Sequence, residues 1–270
     1  MQPQTQKFPQ LQTIDPSSMA LFLDFDGTLV EFAQTPEGVT VPNRLTDILQ
    51  RLDLHLNGAI ALISGRTLKS LANLVDMPLN MAGSHGAEWQ HPNGIPYSQS
   101  IAHPSFLAIK NQLLNYANCH NLIAEDKGDA IAIHYRQAPA QQQQLDDYIA
   151  DTLKSEDPKE IRVIRGNCVR EIQIAGSDKG VAIARFMSKP PFYGRRAIFI
   201  GDDTTDEDGF AWVNDNGGIS IKVGDGPSCA QQRLSNTGEV LAFLTMKVAQ
   251  LEKQEERTDE STQPGTCTHR

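Results

Sequence analysis

The stretch Leu21-Phe22-Leu23-Asp24-Phe25-Asp26-Gly27-Thr28-Leu29 decides how this 270-residue chain is read. The apolar run Met19 to Leu23 predicts a short buried strand, and it stops at two aspartates spaced i and i+2. In extended chain that spacing puts both carboxylates on one side. Gly27 permits a tight turn behind them, and Thr28 adds a hydroxyl donor. Two close carboxylates repel, and desolvation raises the cost of ionising them. Such a pair at a buried strand end calls for a cation or for chemistry. One carboxylate can attack phosphorus; the other can protonate a leaving oxygen and later deprotonate water. A Mg²⁺ there would lower the repulsion and clamp phosphoryl oxygens. Taken alone, the nonapeptide also fits a plain strand end closed by an Asp-Gly turn.

The flanking sequence repeats the theme. Leu45, Ile48, Leu49, Leu52 and Leu54 recur at mostly helical spacing after Pro42 and Asn43. Ala59 to Ile63 is a second apolar strand, ending in Ser64-Gly65-Arg66. Ser64 there can bond a phosphate oxygen, or Ser64 or Thr67 can simply cap the helix predicted to run to Val75. Leu79 to Ala82 is a third strand, leading into Gly83-Ser84-His85-Gly86-Ala87-Glu88-Trp89. His85 is a substrate contact or a satisfied loop histidine. Strand and helix alternate, which predicts a parallel α/β sheet. In such sheets ligands bind at the carboxyl ends of the strands, where Asp24, Asp26, Ser64 and His85 all fall.

The same pattern resumes late in the chain. Asp178-Lys179-Gly180 opens a helix through Phe186 or Met187, and Lys179 at its start opposes the helix dipole, which predicts an anionic partner. Arg196 to Ile200 is a further strand, ending in Gly201-Asp202-Asp203-Thr204-Thr205-Asp206-Glu207. Four acidic groups within six residues are hard oxygen ligands at a density that suits Mg²⁺. Ile219 to Val223 is a last strand and Val240 to Leu251 a closing helix.

Between these halves the pattern changes. Phe106 to Cys119 and Gln141 to Lys154 predict helices. Ala130 to Arg136, Ile161 to Ile164 and Val169 to Ile174 alternate as strands, the last two around a Gly166-Asn167 turn. This predicts a small α+β unit with a half-exposed sheet. The expected organisation is a loose arm over 1–17, a core over 18–103 and 177–250, the inserted unit over 104–176 and a disordered tail over 251–270.

Composition narrows the function classes. A net charge of -9 argues against a nucleic-acid or anionic-membrane binder. The cysteines Cys119, Cys168, Cys229 and Cys267 form no CxxC, so neither a zinc site nor a disulfide framework is expected. No apolar run approaches membrane-spanning length and Met1 to Pro16 lacks the apolar core of a signal peptide, so a cytoplasmic protein is expected. The oligomeric state is left open, with a monomer favoured.

Asp24-x-Asp26, Ser64, Lys179 and Gly201-Asp202-Asp203 resemble, in order, the four motifs of the haloacid dehalogenase (HAD) superfamily, over residues 19 to 245. The resemblance implies a Rossmann-like parallel-sheet hydrolase core with an inserted α+β cap domain. It implies that Asp24 forms an aspartyl-phosphate and that Asp26 is general acid and base. It further implies that Ser64 and Lys179 hold the phosphate, and that Asp24, Asp26 (through its backbone carbonyl) and Asp202 bind Mg²⁺. Asp203 and Asp206 would support that site. Within the superfamily the chain resembles the trehalose-6-phosphate phosphatases, through Ser64-Gly65-Arg66, Gly83 to Glu88, Glu125-Asp126-Lys127, Glu171 and Gly201 to Glu207. This implies a small sugar-phosphate substrate, trehalose 6-phosphate, with Glu125, Lys127 and Glu171 on the sugar hydroxyls; Arg136 and His134 are weaker candidates. By itself Glu125-Asp126-Lys127 has the composition of a charged turn. Phosphatases of other sugar phosphates, a phosphomutase and an inactive sugar-phosphate sensor are the rivals. The sensor would be marked by loss of Asp24 or Asp26, and both are present.

Overall fold

The computed structural model describes residues 18–33, 38–98, 105–128 and 130–262, with side chains of the last helix described to Glu255. The expected arm over 1–17 lies outside the described residues. In chain order the core begins with β1 (Met19–Leu23), α1 (Asn43–His55), β2 (Ile60–Ile63), α2 (Leu68–Val75), β3 (Asn80–Gly83), β4 (Glu88–Gln90) and β5 (Tyr97–Ser98). The inserted unit holds α3 (Phe106–Cys119), β6 (Ile123–Asp126), β7 (Ala130–His134), α4 (Gln142–Leu153), β8 (Ile161–Gly166) and β9 (Val169–Ile174). The core is completed by α5 (Lys179–Met187), β10 (Arg196–Gly201), α6 (Glu207–Asp215), β11 (Ile219–Val223), β12 (Gln232–Leu234) and α7 (Thr237–Thr262).

The core sheet has eight strands in the order β12-β11-β10-β1-β2-β3-β4-β5. It is parallel from β12 to β3 and antiparallel at β4 and β5. β1 sits centrally, pairing Leu21 with Ile198 on one side and Ile60 on the other. All five of its residues are buried, as are all four of β2. A parallel strand covered on both faces needs such a continuous apolar run. On one face Met19, Leu21 and Ile198 line a common small cavity with Leu52 of α1 and Phe243 of α7. On the other, Phe22 stacks on Phe192 at 5.3 Å and lies 6.3 Å from Phe186 of α5, while Phe199 meets Phe210 of α6 at 5.2 Å. The core is therefore a three-layer sandwich with β1 at its centre, and the site begins where β1 ends.

The second sheet is antiparallel, in the order β6-β7-β9-β8. Its alternation sorts the side chains cleanly. Ile131, Ile133, Ile172 and Ile174 pack with Leu113 of α3 and Leu145 and Ile149 of α4. The intervening Ala132, His134, Val169 and Glu171 line the cleft toward the core. The face expected to be half exposed is thus turned to the cleft.

Three further expectations change. Glu125 and Asp126 lie on β6 rather than in a turn, paired with Ala132 and Ile131. The β8–β9 turn is Asn167-Cys168, with Cys168 at φ 60, and Gly166 ends the strand. The closing helix does not stop at Leu251: α7 continues to Thr262, through residues expected to be disordered. Side-chain contacts explain its persistence, since Arg51 Nε donates to Glu252 at 3.0 Å and His55 meets Glu255 at 2.8 Å. Residues 263–270 lie outside the described residues.

Candidate active site

The carboxyl ends of β1, β2, β3 and β10 face the inserted unit across one cleft. It is lined by Asp24, Asp26, Ser64, Arg66, His85, Lys179, Asp202 and Asp203 from the core and by Glu125, Lys127, His134, Arg136 and Glu171 from the insertion. The sequence points to thirteen site residues, His134 among them. All of them line this cleft except Asp206, which lies beneath its floor with no exposed surface.

The floor is built on β1 and β10. Asp24 N donates to Ile200 O at 2.9 Å, so the sheet ladder itself fixes the residue. Lys179 Nζ donates to Asp24 Oδ1 at 2.7 Å and to Asp206 Oδ1 at 2.6 Å. The anionic partner predicted for this lysine is therefore double. Asp178 caps α5 by accepting from Val181 N, which turns Lys179 inward despite its place at the helix start. Asp206 also accepts from Asp203 N at 2.8 Å and so ties the acidic loop to the lysine. Gly201 permits this approach: a Cβ there would lie 2.3 Å from Asp206 Cγ.

Asp24, Asp202 and Asp206 each offer an oxygen, all within 4.8 Å of one another. Burial, first, and the Asp206 charge push the Asp202 carboxyl up to about 6. Burial also pushes Asp24 well above the ordinary carboxylate range, against the pull of Lys179. Burial alone would lower the Lys179 ammonium, but Asp206 and Asp24 outweigh it and hold it above its usual value. One ammonium does not neutralise three carboxylates, and the donor set is one that a hard divalent cation satisfies. Thr28 Oγ1 donates to Asp202 Oδ1 at 3.3 Å.

Asp26 is gripped by Arg66, with Nε to Oδ2 at 2.6 Å and Nη2 to Oδ1 at 2.7 Å. Ser64, 1% exposed, accepts from Arg66 N at 3.1 Å, while Thr67 is the residue that caps α2. Asp203 Oδ1 accepts from Thr204 N, at the edge of the cleft nearest Gly166.

The roof comes from the insertion. Lys127 Nζ bonds Glu171 Oε2 at 2.7 Å and, across the cleft, Gly65 O at 2.8 Å. Burial alone would raise the Glu171 carboxyl, but Lys127 and His85 overturn that and hold it far below the usual range. Glu125 is held low first by the His134 imidazole, 3.7 Å away, against its own burial. Arg136 also crosses to the core, donating to Ala33 O at 3.0 Å and lying 5.6 Å from the centre of the Phe32 ring.

Two charged side chains here were not expected from sequence as site residues. Arg66 sits three positions past the end of β2, two after the expected Ser64. Lys222 is 6% exposed in β11, and its Nζ donates to the Asp202 carbonyl. The available signal was a lysine inside the otherwise buried run Ile219-Ser220-Ile221-Lys222-Val223, all five residues of which are covered.

A family model described as trehalose-phosphatase matches residues 22–239. The chain is 39% identical over 244 residues to the trehalose-6-phosphate phosphatase of Escherichia coli K12, covering 88% of this chain and 89% of the relative. It is 42% identical over 213 residues to a probable trehalose-phosphate phosphatase of Sinorhizobium fredii, covering 78% and 79%. Among solved structures, the C-terminal domain of the C. albicans trehalose-6-phosphate phosphatase superposes with a TM-score of 0.77 at 20% identity, covering 86% of this chain and 92% of that one. A haloacid dehalogenase-like hydrolase from B. subtilis superposes at 0.58 with 13% identity, covering 84% and 99%, a likeness of fold. By sequence over most of its length, and with a HAD-like fold beneath it, the chain belongs to the trehalose-phosphatase family.

Proposed function

We propose that this cleft hydrolyses trehalose 6-phosphate to trehalose and phosphate, with Asp24 as nucleophile and Asp26 as acid and base. The observation that carries the reading is the meeting of Asp24 and Lys179 at 2.7 Å on the floor of a cleft whose roof holds Glu125, Lys127 and Glu171. An Asp24 oxygen attacks phosphorus, and the bond from phosphorus to the sugar C6 oxygen breaks. A proton from the Asp26 carboxyl goes to that oxygen, releasing the sugar. Asp26, now a carboxylate, takes a proton from water, which attacks phosphorus. The acyl–phosphate bond then breaks, returning Asp24 and freeing phosphate. Lys179 and Ser64 hold the oxygens of the transferring group, whose charge is what phosphoryl transfer must stabilise.

Asp24 and Asp202 would hold a Mg²⁺, with Asp206 beside them and the Asp26 carbonyl as a further oxygen. When bound, the ion supplies charge neutralisation of the phosphoryl oxygens. The insertion acts as a cap over 104–176, with the core over 18–103 and 177–250. It excludes water and reads the sugar through Glu125, Lys127 and Glu171, carboxylates and an ammonium that can each bond several hydroxyls. Arg136 and His134 stand at the edge of the same face.

The test is release of phosphate from trehalose 6-phosphate, with and without chelator, for wild type and Asp24→Asn. The expected result is release that needs both the metal and Asp24. Turnover of other sugar phosphates but not this one would remove the substrate and leave the chemistry. Full activity in Asp24→Asn would remove the mechanism.

A further inference from the structure

His85 is built into the site at a cost in backbone conformation. Ser84 and His85 are both left-handed, at φ 47 and φ 53, a region that residues with side chains rarely occupy and that marks stored strain at functional sites. The neighbouring backbone pins the arrangement: His85 N donates to Ser64 O at 3.0 Å and Ser84 N to Arg66 O at 2.7 Å. The imidazole lies directly against Gly65, where a Cβ would fall 2.6 Å from both Cε1 and Nε2. A glycine at 65 is therefore required for the ring to sit where it does.

What the ring reaches is a residue of the cap. His85 Nε2 lies 3.4 Å from Glu171 Oε1, while Lys127 takes Oε2 of the same carboxylate. His85 is 7% exposed and Glu171 5%. Among the described residues Glu171 Oε1 and His85 Nδ1 have no hydrogen-bond partner, although both residues line the cleft. Buried polar atoms without partners beside a cleft are where a ligand's polar groups are expected.

We propose that His85 is a positioning residue for substrate specificity: from the core it fixes the cap carboxylate Glu171, so that Oε1 is aimed at a sugar hydroxyl only when the cap is closed. The imidazole lies 3.4 Å from Oε1 while Lys127 bonds Oε2 at 2.7 Å, so Glu171 is flanked by a core side chain on one side and a cap side chain on the other. Sugar recognition and closure then become one event, because the residue that reads the sugar is itself oriented by the core. This rests on the reading of Glu171 as a sugar ligand given above.

The test compares His85→Asn, Gly65→Ala and Glu171→Gln with wild type, in the full chain with Mg²⁺. Gly65→Ala keeps the imidazole but its Cβ displaces the ring. The readout is the ratio of kcat/KM for trehalose 6-phosphate to that for p-nitrophenyl phosphate, together with inhibition by trehalose. A residue that only supports the fold lowers both substrates in parallel and leaves the ratio alone. The expected result is a fall in the ratio of about tenfold in all three variants, the scale of one lost hydrogen bond to a charged group, with trehalose inhibiting more weakly. His85→Asn should add little in the Glu171→Gln background, since the two act on one contact. If Glu171→Gln lowers the ratio while neither other variant does, or if the two losses add in full, His85 does not act through Glu171 and the proposal is overturned. If Glu171→Gln leaves the ratio unchanged, the sugar-reading role falls and takes the proposal with it.

Discussion

Arg66 holds Asp26 by two parallel hydrogen bonds of 2.6 and 2.7 Å, one to each carboxylate oxygen. An acid that delivers a proton to a leaving oxygen needs one of its own oxygens clear of N–H donors. If Asp26 is the acid of the proposed reaction, one of these bonds loosens as substrate enters, while Ser70 Oγ, which already accepts from Arg66 Nη1 at 3.4 Å, keeps its hold on the guanidinium. The planar fork of arginine matches a carboxylate in a way that an ammonium does not. Arg66→Met is therefore expected to lower kcat by roughly 10- to 100-fold, a fraction of what general acid–base catalysis contributes, and Arg66→Lys to recover only part. Steady-state kinetics on trehalose 6-phosphate decide it, and a wild-type kcat in the methionine variant would sink the idea.

What was legible in the sequence follows from how far each signal is local. Asp24, Asp202 and Lys179 were readable because each follows or opens an element with a strong apolar pattern, and a parallel sheet brings strand ends together without further information. Arg66 was not, because nothing in Ser64-Gly65-Arg66 says that the guanidinium will reach Asp26, 40 positions away in sequence. Glu125 and Asp126 carry charges that look like a turn, and only pairing with β7 makes them a strand. The end of α7 depends on Arg51 and His55, about 200 positions away in sequence, so no local propensity announces it.

Gly27 serves two purposes, and its replacement separates them. Its φ of 83 belongs to the left-handed region, and a Cβ there would lie 2.2 Å from Asp202 Oδ2. Gly27→Ala should cost about 1–2 kcal/mol of stability from the backbone alone and should also push Asp202 away from Asp24. Calorimetric titration with Mg²⁺ is expected to show binding weakened by at least about tenfold, one lost charge-assisted ligand contact. Unchanged Mg²⁺ affinity in a folded Gly27→Ala protein would contradict the placement of Asp202 in the cation site.

The α1–α7 contact predicts that the last helix stabilises the core. His55 is 8% exposed because α7 covers it, and Glu252 accepts from both Nε and Nη2 of Arg51. Ending the chain after Leu251 should lower the thermal midpoint and speed amide exchange in the second half of α1. Exchange in β7 and β9, which belong to the other sheet, should not change. Faster exchange throughout, or none in α1, would mean that the contact does not support that helix.

Within the inserted unit, Arg170 is 4% exposed and depends on Asp146, with Nε to Oδ1 at 2.6 Å and Nη2 to Oδ2 at 3.0 Å; Nη1 donates to the Tyr135 hydroxyl. The Arg170 hydrogen bonds hold the Asp146 carboxyl below its usual range, against a smaller effect of burial. A carboxylate lowered in the folded state adds stability that is fully present above its unfolded pKa, about 4, and is lost as pH falls through the folded value. Asp146→Asn should therefore cost about 1.5–3 kcal/mol at pH 7, the range for hydrogen bonds to charged groups. The gap between variant and wild type should then narrow below about pH 4 as the wild-type carboxylate protonates. Urea unfolding of both proteins at pH 7 and pH 3 measures the two gaps. A gap of equal size at both would show that the charge on Asp146 is not what stabilises the β9 arginine.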